Sequence, residues 1–426
     1  MKLQLFDIQL IVIIALIGLV PYLALAQEAK MPFPNHTVYT IGSVKPTINT
    51  QSEMDSAVIR FYDKWKKHYI RYTKDKSGAY VYCNADGLWR GGNKSANSVS
   101  LSEGHGYGMM IMVVMAGYDR QAHEIFDKMA IYFKKHPSNI NHHLMAWDQT
   151  RDSVINEHNS DDATDGDLDI AYAFLMADRQ WGSAGVFDYK NEAIDIINAL
   201  KSTNLNPKTN LMIMGDFTEA GEPYYNDTRT SDFLPDHFKA FYEATGDSTW
   251  QKVLNSGYHL LNFMQKKYSP NSGLFPDFIK SCNKVPRPAG PFFIEKRQDG
   301  EYSYNACRIP WRLAGDYLIS GDIRDAALLA PINSWLINKT KNNIARIRDG
   351  YTLLGNYGAG ASGDNIVFIA PFGVSAMIDQ KNQVMVNHVW DYACHEAMGD
   401  EEYYGNTVKL LCMMVMSGNW WGISDY

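Results

Sequence analysis

Apolar residues recur along this chain with a period near 3.6, in a succession of segments of helical length rather than in strict alternation. The pattern predicts helices over 52–72, 104–117, 120–135, 167–180, 188–202, 232–245, 248–267, 305–319, 322–338, 369–379, 385–397 and 401–417. Ala122, Phe126, Met129 and Ala130 show the spacing in one of them. Gly182, Gly246, Gly321 and Gly399 each follow such a segment, where a glycine commonly caps a helix. Twelve helices make six hairpins. From Ser52 onward no Ser/Gly/Pro-rich tract and no charge block interrupts them, so one large domain over 51–426 is expected. No crisp repeat is visible, which argues against a regular solenoid. The expectation is an all-α fold, an (α/α)6 barrel of six helical hairpins. Long connections such as 80–101 and 275–303, rich in Gly, Trp, Tyr and Asp, would form a cleft.

The start of the chain reads differently. Lys2 precedes an apolar run from Leu10 to Leu19, and Ala24-Leu25-Ala26 is a small-x-small cleavage site before Gln27. Residues 1–26 therefore read as an export signal, and 27–50, polar and Pro-containing, as a leader segment. The rival is a membrane anchor, but the run is short against the roughly 20 residues a span needs. The expected location is secreted or periplasmic, with no membrane attachment after cleavage. Five cysteines (Cys83, Cys282, Cys307, Cys394, Cys412) form neither a disulfide framework nor a CxxC metal site, and read as small buried hydrophobes. The net charge of −7 argues against nucleic acid or an anionic membrane as partner. Aromatic residues make up 13%, with 26 Tyr and 10 Trp, a hint of ring surfaces that grip sugars.

Two motifs carry candidate chemistry. In Ser102-Glu103-Gly104-His105-Gly106-Tyr107-Gly108-Met109, three glycines let a backbone or a ligand come close. Glu103 falls in the first turn of a helix, where the dipole favours a carboxylate whether it caps or catalyses. A phosphate-loop reading fails, because no strand precedes the glycines and no Lys follows. In Ala163-Thr164-Asp165-Gly166-Asp167-Leu168-Asp169, Thr164 or Asp165 can cap a helix. Asp165 and Asp169 then point to similar sides, and Asp167 points away. A calcium loop would need a downstream Glu that is missing.

These motifs resemble those of glycoside hydrolase family 8. Residues 163–181 resemble its signature segment, Ser102–Met109 its acid-bearing block, and Tyr304-Asn305-Ala306-Cys307-Arg308-Ile309-Pro310-Trp311-Arg312 a third block. Asp86-Gly87-Leu88-Trp89 and Met145-Ala146-Trp147 extend the likeness over about 80–320. The resemblance implies an (α/α)6 barrel and an inverting endo-acting hydrolase of a β-1,4-linked polysaccharide, either β-glucan/cellulose or chitosan. It implies Glu103 as general acid and Asp165 at the central subsite. Many members have Asp as base where this chain has Asn305. A chitosanase/lichenase-like subgroup also carries Asn there and takes its base from a loop about ten positions earlier, which is Glu295 here, with Glu301 a nearby rival. The segment Thr228–Phe233, with Asp232, resembles the same subgroup. Trp89, Tyr107, Trp147 and Tyr304 are candidates to stack on sugars, Arg308 to orient an acid or a hydroxyl, and His105 to support Glu103. His142-His143 is weak evidence for metal. The expected partner is the glycan itself, with no cofactor, no metal and no second subunit. Alternatives are a xylan or xylo-oligosaccharide hydrolase, a catalytically dead glycan-binding protein, or, on the same barrel, a polysaccharide lyase or a cyclase.

Overall fold

The computed structural model describes residues 28–85, 98–150, 161–363 and 365–423; the segment expected to be an export signal lies outside them. Among the described residues are twelve α-helices: α1 (Gln51–Tyr69), α2 (Ser102–Val114), α3 (Ala122–Lys135), α4 (Thr164–Trp181), α5 (Tyr189–Thr203), α6 (Pro235–Thr245), α7 (Thr249–Tyr268), α8 (Ile309–Ser320), α9 (Ile323–Thr340), α10 (Ile366–Ala376), α11 (Gln383–His395) and α12 (Tyr403–Met416). None is long and apolar enough to cross a membrane.

How burial is spread sorts the helices into two rings. Helix α1 buries one face, Met54, Val58, Phe61, Tyr62 and Trp65, and leaves the other polar, as a helix with one covered side must. Every residue of α10 is buried, as is every residue of α12 except Tyr404 and of α2 except Glu103. Helices buried all round belong inside. The even-numbered helices pack in order, α2 on α4, α4 on α6, α6 on α8, α8 on α10 and α10 on α12, and α12 closes back on α2. Each has an odd-numbered neighbour outside it, and α1 covers α12. The barrel is thus the expected (α/α)6 fold, with one hairpin made by the first and last helices.

Segment 28–50 is part of this barrel. Its backbone N–H groups at Lys30, Phe33, Thr37, Thr40 and Val44 donate to the carbonyls of Gln180, Ala116, Gly418, Leu318 and Met377. These carbonyls lie at or just beyond the C-terminal ends of α4, α2, α12, α8 and α10, where helices leave acceptors unpaired. The leader segment therefore seals one end of the inner ring, and the N-terminal ends of the inner helices form the other.

Several boundaries differ from the sequence pattern for local reasons. Residues 70–72 leave α1 and form strand β1 (Ile70–Tyr72), paired with β2 (Ala79–Val81). Proline at the first turn starts α6 at Pro235 and α8 at Ile309, so Asp232 and Asn305–Arg308 stand in short 3₁₀ turns ahead of the helices. Asn365 caps α10, which starts three residues early. Gly182, Gly246 and Gly321 end helices with positive φ as expected. Gly399 does not: α11 ends at His395 and Gly399 lies in a separate turn. All five cysteines are free, and three are buried.

The glycines of the first two motifs serve backbone approach. A Cβ on Gly106 would stand 2.7 Å from the Asp169 Cβ, and one on Gly166 would stand 2.3 Å from Ser102 Oγ and 2.7 Å from the Ser102 carbonyl carbon. Helices α2 and α4 cross at these points, which draws their first turns together. Gly166→Ala should therefore lose on the order of 1–3 kcal/mol of stability despite alanine's better helix propensity. Urea denaturation showing unchanged or increased stability would contradict the close crossing.

Candidate active site

The N-terminal ends of the inner helices converge on one buried cation. Arg308, in the turn before α8, donates through Nη1 to Glu103 Oε2 at 2.7 Å and to Asp165 Oδ2 at 2.8 Å. The same nitrogen lies 3.2 Å from the Tyr107 hydroxyl. Its Nη2 donates to Ser231 Oγ at 2.8 Å and Asn305 Oδ1 at 3.0 Å. Arg229, at the end of strand β3 (Thr228–Arg229), donates through Nη2 to Asp165 Oδ1 at 2.7 Å and through Nε to Asp232 Oδ1 at 2.9 Å. Residues about 60, 130 and 205 positions apart in the chain thus share two guanidinium groups. Glu103 is not a helix cap: α2 begins without a side-chain cap, and the carboxylate faces Arg308. Thr164 does not cap α4 either; its hydroxyl donates to the Ile213 carbonyl at 2.5 Å.

Electrostatics separates the carboxyls. Removal from water pushes the Glu103 carboxyl up to about 7; Arg308 opposes that shift and Asp165 adds to it. Burial also works to raise Asp165, but Arg229 and Arg308 outweigh it and hold it at about 2. Asp232 is pushed up to about 7 by burial against the pull of Arg229, and its Oδ2 is buried without a hydrogen-bond partner.

A second carboxylate reaches the site from a loop. Glu295 Oε2 accepts a hydrogen bond from Asn305 Nδ2 at 3.0 Å. Asp277 underlies this contact, because its Oδ1 accepts from the backbone N–H groups of Ser303, Asn305 and Ala306 at 3.1, 3.2 and 2.8 Å. Lys296 Nζ lies 3.8 Å from Asp277 Oδ2 and 4.5 Å from the centre of the Tyr304 ring. The rival Glu301 points elsewhere, towards the 350–358 connection, with Oε2 3.4 Å from the Cβ position of Gly358.

Other expected residues fall in different places. Tyr107 is fully buried below Arg308, edge-on to Trp311, so its ring offers no face to a sugar. Tyr304 is half-buried, its hydroxyl shared with Asp349 and Asn365 and its ring covered by Lys296. Trp147 is half-buried beside the site, its carbonyl accepting from Ser102 N–H at 3.0 Å. His105 turns away from Glu103, bonds the Met129 carbonyl at 3.0 Å, and is held neutral by burial, with its pKa pushed down to about 3. Asp167 accepts from Met145 N–H, and Asp169 pairs with Arg312 and His237 one turn further in, so the three acids of this motif do not surround a common centre. Trp89 lies outside the described residues. Sequence reading missed Arg229, although it stands in the quoted 228–233 segment three residues before Asp232. It also missed Tyr404, whose ring faces the Arg308 guanidinium at 6.0 Å and whose hydroxyl donates to the Tyr304 carbonyl. Tyr404 carries the signal of a ring in the first turn of an inner helix.

A sequence profile for Glycosyl hydrolases family 8 matches residues 31–418. The chain belongs to glycoside hydrolase family 8. Among its relatives in this family is a Beta-glucanase of Niallia circulans, 44% identical over 391 residues, 92% of this chain and 91% of that one. An Endoglucanase of Bacillus sp. (strain KSM-330) is 37% identical over 93% of this chain and 83% of the other. The solved structure of a Beta-1,3-1,4-glucanase from Paenibacillus sp. X4 superposes with a TM-score of 0.85 at 42% identity, covering 92% of this chain and 99% of that one. The family 8 protein is therefore a glycoside hydrolase, with a polysaccharide as substrate.

The buried cation sets a testable cost. Arg308→Ala leaves Glu103 and Asp165 facing each other with Arg229 as the remaining partner of Asp165, and breaking a buried pair in this way costs on the order of 3–5 kcal/mol. Arg308→Lys should recover little, because an ammonium lacks the planar fork that reaches both sides. Denaturant titration showing either variant as stable as the parent would disprove the shared-cation arrangement.

Proposed function

We propose that this enzyme hydrolyses β-glucan by inversion, with Glu103 as general acid and Glu295 as general base. The observation that carries the reading is the 3.0 Å bond between Glu295 Oε2 and Asn305 Nδ2, which puts a loop carboxylate beside the amide that stands where many family members carry their base. Glu103 and Glu295 are joined only through the Arg308 guanidinium and the Asn305 amide in series. Inversion needs room for a water between carboxyls roughly 6.5–9.5 Å apart, and the guanidinium and the amide that stand between this pair keep the two carboxyls out of direct contact. Glu103, raised to about 7, holds its proton at neutral pH and delivers it to the leaving oxygen. Glu295, exposed at the cleft edge, takes the proton of the attacking water, and Asp165 stays ionised between its two guanidiniums and supports the positive charge that develops on the sugar. We assign the chain to the subgroup with Asn in place of the base Asp, and infer export from the N-terminal signal pattern.

The polymer follows from charge. A glucosamine ammonium would need an accessible carboxylate, but Asp232 is 1% exposed and occupied by Arg229. Lys296 adds a cation near the base. Both favour a neutral glucan over chitosan, in keeping with the β-glucanase and endoglucanase names of the relatives. Solved neighbours crystallised with xylose, such as Rex8A from Paenibacillus barcinonensis at 18% identity, share the fold and carry no argument for xylan.

Two measurements test the roles. Activity, read as kcat/KM on mixed-linkage β-glucan, should fall about tenfold per pH unit above about 7, because the acid must be protonated and is lost as pH rises through its pKa. Glu103→Gln should lose about 10²–10⁴-fold in turnover on the polymer while glycan binding persists. On an aryl glycoside whose leaving group needs no acid, the alkaline fall should disappear from this variant; if it remains, Glu103 is not the acid. Glu295→Ala should abolish hydrolysis, and added azide should restore turnover by forming the C1–N bond as the glycosidic C1–O bond breaks, giving an inverted glycosyl azide. Full hydrolysis by Glu295→Ala, or loss only in Glu301→Ala, would move the base elsewhere. Faster cleavage of chitosan than of β-glucan by the parent would refute the substrate assignment.

A further inference from the structure

The stretch that carries Glu295 is a loop with a closed neck. Strand β4 (Phe278–Lys280) holds both of its ends: Ala289 N–H donates to the Phe278 carbonyl at 3.0 Å, and Phe278 N–H donates to the Asp299 carbonyl at 2.9 Å. Gly300 passes so near Ala289 that a Cβ there would stand 2.0 Å from its carbonyl oxygen. Apolar packing holds the loop weakly. Phe293 packs against Phe278 and Tyr224, but Phe292 is 72% exposed and adopts φ +56°, and Ile294 is exposed too.

What holds the tip is a buried carboxylate. Asp299 has no solvent exposure, and its Oδ2 accepts from the backbone N–H groups of Ile294 at 2.7 Å and Glu295 at 3.0 Å, while its Oδ1 accepts from Lys296 N–H at 2.8 Å. Three consecutive amides, centred on the residue that carries the base, converge on one charged acceptor. Hydrogen bonds to a charged acceptor are the strong ones. They fix the backbone on both sides of the Glu295 Cα and direct its side chain at Asn305. The Lys296 side chain reaches back over Tyr304 towards Asp277 and steadies the same turn from its other side.

We propose that Asp299 is the positioning residue of the catalytic base: it touches no substrate and acts through Glu295 by ordering the turn 294–296. The proposal rests on the reading of Glu295 as base. Without this acceptor the exposed turn has three unpaired amides and a left-handed Phe292 to relax, and the Glu295 carboxylate no longer stays over the attacking water. A misplacement of about 1 Å is enough to cost about 10²-fold in rate.

The test uses the full chain and four variants. Asp299→Ala and Asp299→Asn should lower kcat on β-glucan by about 10²-fold with KM little changed, since the cleft's sugar contacts are untouched. Asp299→Asn keeps the shape but turns an NH₂ towards at least one backbone N–H. Glu295→Ala and Glu295→Ala/Asp299→Ala should show the same azide-driven rate, because azide needs no base and Asp299 then has nothing left to position. A drop in the azide-driven rate of the double variant as large as the drop in hydrolysis caused by Asp299→Ala would make Asp299 a support of the whole cleft and overturn the proposal. Parental kcat in Asp299→Ala, or failure of Asp299→Asn to fold by circular dichroism and thermal melting, would overturn it as well. Full hydrolysis by Glu295→Ala alone would instead remove the underlying assignment of the base, a result distinguishable from the others.

Discussion

The open end of the barrel is organised around the Arg308 guanidinium. A buried charge is tolerated only when its donors are paired, and Arg308 finds its partners on four different inner-helix starts. Glu103 comes from α2, Asp165 from α4, Ser231 from the turn before α6, and Asn305 from the turn before α8. No one of these ends can shift without leaving a donor or a carboxylate unpaired. The geometry also depends on two small residues, because Gly106 and Gly166 let α2 and α4 cross closely enough for one nitrogen of Arg308 to reach both acids.

Charge counting explains why one carboxyl of this group can stay protonated. Glu103, Asp165 and Asp232 surround two guanidiniums, Arg229 and Arg308, so full ionisation would leave one excess negative charge in a site with little water. The two cations settle on Asp165, which both of them contact and which is held at about 2. Burial pushes Glu103 and Asp232 up to about 7, because each is in contact with one guanidinium only, Arg308 and Arg229 respectively, and that pull does not outweigh the loss of water. Of these two, Glu103 is the one open to the cleft, with a side chain 20% exposed against 1% for Asp232. A proton on Glu103 can therefore leave towards a ligand, while a proton on Asp232 is walled in. The N-terminal ends of the inner helices face this same region and favour negative charge there, which offsets part of the cost of holding Asp165 ionised.

Most of the barrel was legible because helices carry a period that local sequence displays. Twelve segments and three of four glycine caps follow from spacing alone; the pairing of the first helix with the last does not. What the spacing could not show is which residues meet. It ran Asp232 and Asn305 into helices, because the prolines that start α6 and α8 act three and five residues downstream of them and the intervening turns are apolar enough to extend the pattern. It treated Tyr107 as a sugar platform because a tyrosine beside an acid looks the same in sequence whether it faces a cleft or a core. It passed over Arg229, Tyr404 and Asp299, whose partners lie 64, 100 and three to five residues away and whose importance comes from burial. The polar segment 27–50 read as a leader outside the domain, since backbone amides that cap distant helix ends leave no trace in side-chain pattern.

The amide at position 305 shows how the loop and the barrel wall are matched. Its Oδ1 accepts from Arg308 Nη2 and its Nδ2 donates to Glu295 Oε2, both at 3.0 Å, so the group is read correctly from both sides in one orientation only. An aspartate there would still accept from Arg308, but it would present a second oxygen to Glu295 where a donor is needed. Two carboxylates in contact cannot both stay ionised, and the repulsion would raise the pKa of one of them and press the loop away from the wall. An amide at 305 and a carboxylate at 295 are therefore a single arrangement: through its NH₂ the asparagine holds the loop carboxylate to which the proposed mechanism gives the base role. Asp277 fixes the asparagine backbone from below and Asp299 fixes the glutamate backbone from the loop side, so the 3.0 Å bond between the two side chains joins two parts of the chain that are each anchored independently of it.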